Sequence, residues 1–366
     1  MGATVTSRQL NRWTLARQLL LERVDLDAVT AIERVACMQA QYSPSPYIGL
    51  WSRLRDFRRE ELEAAVLDSR VIKATLMRGT LHLVSGREFD RYRVACRDEN
   101  NPLARRLSGL GDVGCDLDAV RDEILAALRE RPLNRVEVQR MFRHLVPDHL
   151  PDWVAFSTIW QSGSVINVPG DARFGHFAGS HYRPAPPPEA DPLTAMRHVV
   201  AAYLGAFGPA TRADIAQGLG KPVRAFAPAL DALDVVRLTA EDGRALLDLP
   251  DAPRPDASVE APVRFLPKWD SVLLAHARRE RVLPQSLRYR VIAKNGDVLA
   301  TFLVDGVVAG AWSAPLRGEA VMTLQPLARI PAGARRAVER EGEALLAWLR
   351  PDAGARDVRW LPYGAE

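Results

Sequence analysis

Between Thr6 and Val84 the apolar residues change their spacing from helical to alternating, and that switch limits what this chain can fold into. Leu10, Trp13, Leu15, Leu19 and Leu20 mark one helix, and Asp25 to Asp27 opens a second that carries Val29, Ile32, Val35 and Ala36. Trp51 to Leu67 supplies a further helical stretch. Val71 to Val84 then reads as a β-hairpin that turns near Arg78-Gly79. Helices followed by a two-stranded hairpin predict a winged helix-turn-helix.

The same order of signals returns twice. Leu117 to Leu128 is helical, Pro132 to Glu137 begins a capped helix, and Gly163 to Val168 with Phe174-Gly175-His176-Phe177 predicts a second wing. After a proline-rich linker from Pro184 to Pro192, Met196 to Leu204 is helical, Thr211 caps the next helix, Leu219-Gly220 ends it, and Val223 to Leu233 supplies another. Prolines punctuate Asp248 to Pro262. Beyond them strands are expected at Val263–Leu266, Val291–Ala293, Val298–Val304 and Val307–Trp312, with Asp305-Gly306 as a hairpin turn and Arg335–Leu349 as an amphipathic helix. The expectation is an α+β chain of tandem winged helix-turn-helix units with a β-rich C-terminal unit. Its units are set at 1–114, 115–190, 191–255 and 256–366.

A chain of 366 residues, 47% of them hydrophobic, can bury several such cores. Three cysteines, Cys37, Cys96 and Cys115, show no CxxC spacing, and His144, His149, His176 and His181 form no ligand pattern, so neither a disulfide framework nor a metal is expected. No segment has the apolar length of a signal peptide or a membrane span, which predicts a cytoplasmic protein. Only Lys73, Lys221, Lys268 and Lys294 are lysines, leaving 45 of the 49 basic residues as arginine. That bias fits a GC-rich coding sequence, and it also fits recognition of phosphate by planar guanidinium groups.

The chemistry is most legible in Gln39 and Gln41, two glutamines separated by Ala40. An amide can orient a water by accepting and donating hydrogen bonds, but it takes up no proton near neutral pH. Hydrolysis from such a pair requires a leaving group that is already good. The two side chains share a side only if the backbone is extended, and Pro44 favours extended geometry at Ser43. Arg78, Thr80 and His82 are expected near them on the first wing, with Arg78 at a phosphate or in a groove and Thr80 and His82 on one strand face. Arg278, Arg279 and Arg281 form a basic run that could clamp a DNA backbone. No phosphate-binding, dinucleotide, serine-hydrolase or zinc-protease motif is present, which leaves a nucleic-acid reader or a hydrolase without a cofactor.

Several separated runs carry a resemblance: Met38-Gln39-Ala40-Gln41, Tyr47 to Leu54, Leu76 to Val84, Arg264 to Asp270, Thr301 to Gly306 and Gly310-Ala311-Trp312. In order and spacing the chain resembles the AlkZ/YcaQ family of bacterial winged-helix DNA glycosylases. The resemblance implies tandem winged helices around double-stranded DNA, no cofactor, and excision of bulky N7- or N3-alkylated purines, including those joined in interstrand crosslinks. It also implies that Gln39 and Gln41 occupy the family's catalytic motif, in the double-glutamine form associated with self-resistance to DNA-alkylating natural products. Ala40 is smaller than the apolar residue usual between them. A monomer without lyase activity is expected, Lys73 being the only lysine nearby. The competing expectation is a winged-helix transcriptional regulator without catalysis, since the fold more often reads DNA than cuts it. A family member that binds damage without excising it is the third.

Overall fold

In the computed structural model, which describes residues 4–97, 113–169, 174–175 and 181–363, one element order occurs three times. A helix leads to a very short strand, two further helices follow, and a hairpin closes the unit. In the first unit these are Ala28–Arg34, Met38–Gln39, Pro44–Trp51, Arg59–Leu67, Val71–Thr75 and Leu81–Ser85. The second has Leu117–Glu130, Leu133–Asn134, Arg135–Leu145, a helical stretch from Trp153 to Trp160, Val165–Asn167 and His181–Pro184. The third has Pro192–Phe207, a bridge at Ala210, Arg212–Leu219, Val223–Asp231, Val236–Ala240 and Ala245–Asp248. In every unit the short strand pairs with the last strand of the hairpin. The first two wings are therefore three-stranded, where sequence periodicity predicts two strands; a two-residue strand is too short to show any alternation.

Local chemistry explains most boundaries. Asp27 caps the helix Ala28–Arg34, accepting from the Val29 and Thr30 amides. Thr211 and Asp214 form a reciprocal capping box, and Gly220, left-handed at φ +70°, ends that helix. Three expectations are corrected. Ser43 is helical rather than extended, because the chain turns straight into a helix that carries Pro44 in its first turn. The second wing's return strand is His181–Pro184, and Phe174-Gly175 is a turn: the Phe174 ring is drawn into a cluster with Tyr47, Trp348 and the Arg59 guanidinium. His176 and Phe177 lie outside the described residues. Finally, Val291 ends a short helical turn, and only Ile292 bridges across to Val298.

The C-terminal unit is a five-stranded sheet in the order Arg264–Leu266, Thr301–Val304, Val307–Ser313, Val321–Pro326, Asp357–Trp360. Its last strand is parallel. The helix Ala332–Leu349 covers one face, burying Val338, Leu345 and Leu346 against Phe265, Phe302, Met322 and Leu324. At roughly 1.5–3 kcal/mol for each fully buried large aliphatic side chain, that face is a main source of the unit's stability.

The N-terminal helix Ser7–Arg17 does not join the first winged unit. Thr4–Val5 adds a parallel strand to the third unit's wing, and Arg17 forms a fully buried bidentate pair with Asp248 at 2.7 and 3.0 Å. On its other side Arg8 and Arg12 hold Asp305 in the hairpin turn of the C-terminal unit. A second buried pair, Arg53 with Asp270 at 2.9 and 3.0 Å, ties the first unit to the C-terminal one. Asp214 adds a third tie, accepting the Ala277 amide at 2.9 Å.

Candidate active site

Ala36 and Cys37 both take left-handed backbone conformations, with φ of +56° and +73°. The cost of these rarely occupied conformations is met by the packing around them, and together they swing the chain from the helix Ala28–Arg34 into the strand Met38–Gln39. That geometry lets the Gln39 and Gln41 side chains share a side, as an i, i+2 pair requires. Ala40 is buried, and its amide donates to the Leu81 carbonyl at 2.7 Å. Gln39 and Gln41 both line one cleft of about 700 Å³.

The two amides differ in their freedom. Gln39 is only 6% exposed, pairs in register with His82, and accepts from Arg78 Nη2 at 3.0 Å through Oε1. Gln41 is exposed, and its Oε1 lies 3.4 Å from the Leu81 amide nitrogen that donates to it. Each carbonyl oxygen keeps a second lone pair.

Arg78 sits at the tip of the first wing with φ +56°, a conformation that an arginine adopts only at a steric cost. The tip is wedged between the other units. Arg78 Nη1 donates to the Gly218 carbonyl of the third unit at 2.7 Å, and Gln161 of the second unit occupies the space beside Gly79. Burial pulls the guanidinium down to about 10, and no carboxylate lies within ion-pair distance among the described residues. Arg78 was expected at a phosphate; the structure instead commits it to the cleft wall, where its donors are taken by Gln39, His82 and Gly218. Thr80 also lines the cleft, its hydroxyl donating to the Met77 carbonyl at 3.2 Å.

His82 is fully buried behind Gln39. Burial first, and the Arg78 charge second, push it down to about 3. A neutral ring beside a donor-only guanidinium has one consistent tautomer: Nδ1–H donates to the Thr80 carbonyl at 2.9 Å, and Nε2 accepts from Arg78 at 3.3 Å. His82 is therefore no proton carrier near neutral pH. The one carboxylate lining the cleft among the described residues is Asp297, held by Lys268 at 2.8 Å.

The basic run is not brought to this site. Arg281 is buried and donates to Thr14, Phe207 and Pro209, so its expected contact with a DNA backbone is corrected: the guanidinium has been spent on the interior. Arg279 donates to the Leu273 carbonyl at 2.9 Å, and Arg278 is exposed beside Asp242 at 3.3 Å.

Other residues complete the cleft that sequence reasoning left unassigned. Arg135, Phe156, Trp160 and Tyr182 of the second unit form one wall, with the Arg135 guanidinium 5.7 Å from the Trp160 ring. Lys268 and Trp269 of the C-terminal unit form another. Trp269 is left-handed at φ +56° and is pinned by its Nε1–H to the Gly296 carbonyl at 2.9 Å. The signal that could have found it was the run Pro267-Lys268-Trp269-Asp270, a large aromatic beside a residue that is locked in place. Among the described residues no helix is long and apolar enough to cross a membrane.

Comparison with known proteins places this geometry. An interstrand DNA cross-link repair glycosylase of Streptomyces sahachiroi is 25% identical over 362 residues, 91% of this chain and 94% of that protein. The solved structure of the Streptomyces sahachiroi DNA glycosylase AlkZ superposes with a TM-score of 0.77 over 98% of this chain and 100% of the other; at 20% identity this is a likeness of fold. The model of the family described as DNA glycosylase AlkZ-like matches residues 32–348, which takes in the glutamine pair, the three hairpins and four of the five strands of the C-terminal sheet. The chain belongs to the AlkZ-like family of DNA glycosylases.

Proposed function

We propose that this DNA glycosylase hydrolyses the N-glycosidic bond of purines carrying a bulky alkyl group at N7 or N3, in double-stranded DNA and in interstrand crosslinks, with Gln39 and Gln41 holding the attacking water. The observation that carries the reading is the pair itself: two amides, one ending a short strand and the other two residues beyond it, border a single cleft whose described lining offers no free carboxylate and no imidazole.

Alkylation at N7 gives the base a positive charge. As the glycosidic bond breaks, its electron pair returns to the base, which leaves neutral, and the charge passes to the sugar. A strong base is not needed to drive departure. The free lone pairs of the two carbonyl oxygens can accept hydrogen bonds from a water and aim its oxygen at the anomeric carbon, and their dipoles favour the positive charge that develops there. The water's proton is lost to solvent. An undamaged guanine would need protonation to leave, and the described lining offers no free carboxyl or imidazole to supply it, Asp297 being held by Lys268. Arg135 and Lys268 on the rim supply positive charge for the duplex backbone, and the repair of interstrand crosslinks named for the Streptomyces relative favours the bulky substrate class.

The test uses duplex oligonucleotides carrying a single N7-methylguanine or a nitrogen-mustard crosslink, followed by heating in alkali to cleave abasic sites. Cleavage at the lesion is expected for the wild type, and loss of it for Gln39→Ala and Gln41→Ala with DNA affinity retained. Full activity in the double variant would refute the assignment. A footprint on one native sequence without cleavage would mark a regulator instead.

A further inference from the structure

The mechanism above uses the glutamines and leaves a buried arginine and a buried histidine unexplained. Arg78 is a cation without a carboxylate partner among the described residues, in a left-handed conformation that glycine or asparagine would adopt at less steric cost. Such a group is retained where its hydrogen bonds matter more than its strain. Its Nη2 reaches both Gln39 Oε1, at 3.0 Å, and His82 Nε2, at 3.3 Å, while Nη1 reaches the Gly218 carbonyl at 2.7 Å.

A guanidinium only donates, so whichever atom of the Gln39 amide faces it must be the oxygen. The contact removes the flip that leaves a free glutamine amide equally able to present oxygen or nitrogen to a neighbour. His82 fixes the guanidinium in turn, because its Nδ1–H is committed to the Thr80 carbonyl and its Nε2 can only accept. Gly218 anchors the other end to the third winged unit. There Gly220 packs against the Arg78 backbone so closely that a Cβ would stand 2.7 Å from Arg78 Cα and 2.9 Å from its nitrogen.

We propose that Arg78 and His82 are positioning residues that lock the Gln39 carboxamide in the orientation required to hold the water, and that Arg78 couples this lock to the docking of the third winged-helix unit on the first wing. The proposal rests on the reading of Gln39 as a water-holding residue. Neither residue moves a proton: His82 is an acceptor, Arg78 a fixed donor.

Single-turnover excision of N7-methylguanine from a duplex, measured beside DNA affinity, tests it. Arg78→Ala should lower the excision rate about 100-fold, the scale of a misplaced reacting group, with affinity changed less than about threefold; methylguanidinium added to the buffer should restore part of the rate. His82→Leu should lose rate similarly, and His82→Gln, which can still present an acceptor near Nε2, should retain more. Gly220→Ala, at a residue that does not line the cleft, should lower the rate by displacing the Arg78 backbone. The deciding measurement is a double-mutant cycle. If Arg78 acts through Gln39, then Arg78→Ala adds no further loss to Gln39→Ala. A wild-type rate in Arg78→Ala, a loss that methylguanidinium leaves untouched, or additive losses in the cycle would overturn the proposal. Full activity in Gln39→Ala would instead refute the underlying reading, and the two failures are told apart by which single variant keeps its rate.

Discussion

Acidification should destabilise this protein through His82 well before its carboxylates titrate. The folded state holds the ring down to about 3, against 6.5 for the free side chain, because the group is fully buried and faces Arg78. A depressed histidine binds its proton more readily in the unfolded chain. Its contribution is therefore complete above the unfolded value and is lost as pH falls through 6.5 towards 3. Between pH 7 and pH 5 the unfolded ring gains about 0.7 of a proton and the folded ring almost none, so the two-state binding polynomial gives a loss of roughly 2 kcal/mol for this one residue. His276, buried and pushed down by burial and by Arg281, adds a loss of the same sign. The control that isolates His82 is His82→Gln, which keeps a polar side chain and removes the titration. Urea unfolding at pH 7 and pH 5 should show the variant losing about 2 kcal/mol less than the wild type over that interval. Proton NMR should show no titration of the His82 ring above about pH 4, because burial and the Arg78 charge hold it down to about 3 in the folded state. Equal losses in the two proteins, or a ring titrating near 6, would refute the neutral tautomer and with it the acceptor role given to Nε2.

Two further outcomes follow from the buried charges. Arg53→Ala strands Asp270 in the interior next to Trp269 and should cost about 3–5 kcal/mol in urea unfolding, with the paired Arg53→Met, Asp270→Leu variant recovering much of that; a cost below about 1 kcal/mol would mean the pair is hydrated. Neutralising Arg135 or Lys268 should each reduce the slope of log affinity against log salt by about one, whereas Arg281→Gln should lower stability and leave the slope alone. A slope that falls with Arg281→Gln and holds with the rim variants would place the DNA elsewhere.

Much of this protein is written locally. Capping at Thr211, the stop at Gly220, the turn at Asp305-Gly306 and the hairpin at Arg78-Gly79 depend on backbone conformations and near-neighbour hydrogen bonds, which a residue and its immediate neighbours decide. The glutamine pair, too, was legible as chemistry, because what an amide can and cannot do with a proton does not depend on the fold. The short strand bearing Gln39 was not, since both of its residues pair with residues more than forty positions away. Nor did the sequence separate arginines that look alike in a string. Arg281 stands in a basic run and is buried; Arg78 stands at a wing tip and is turned inward; Arg135, in no run, faces the cleft. Burial is a property of the packed whole: whether a guanidinium meets water, a carbonyl or a phosphate depends on which surfaces the three winged units and the sheet close against one another, and only the tertiary structure decides that.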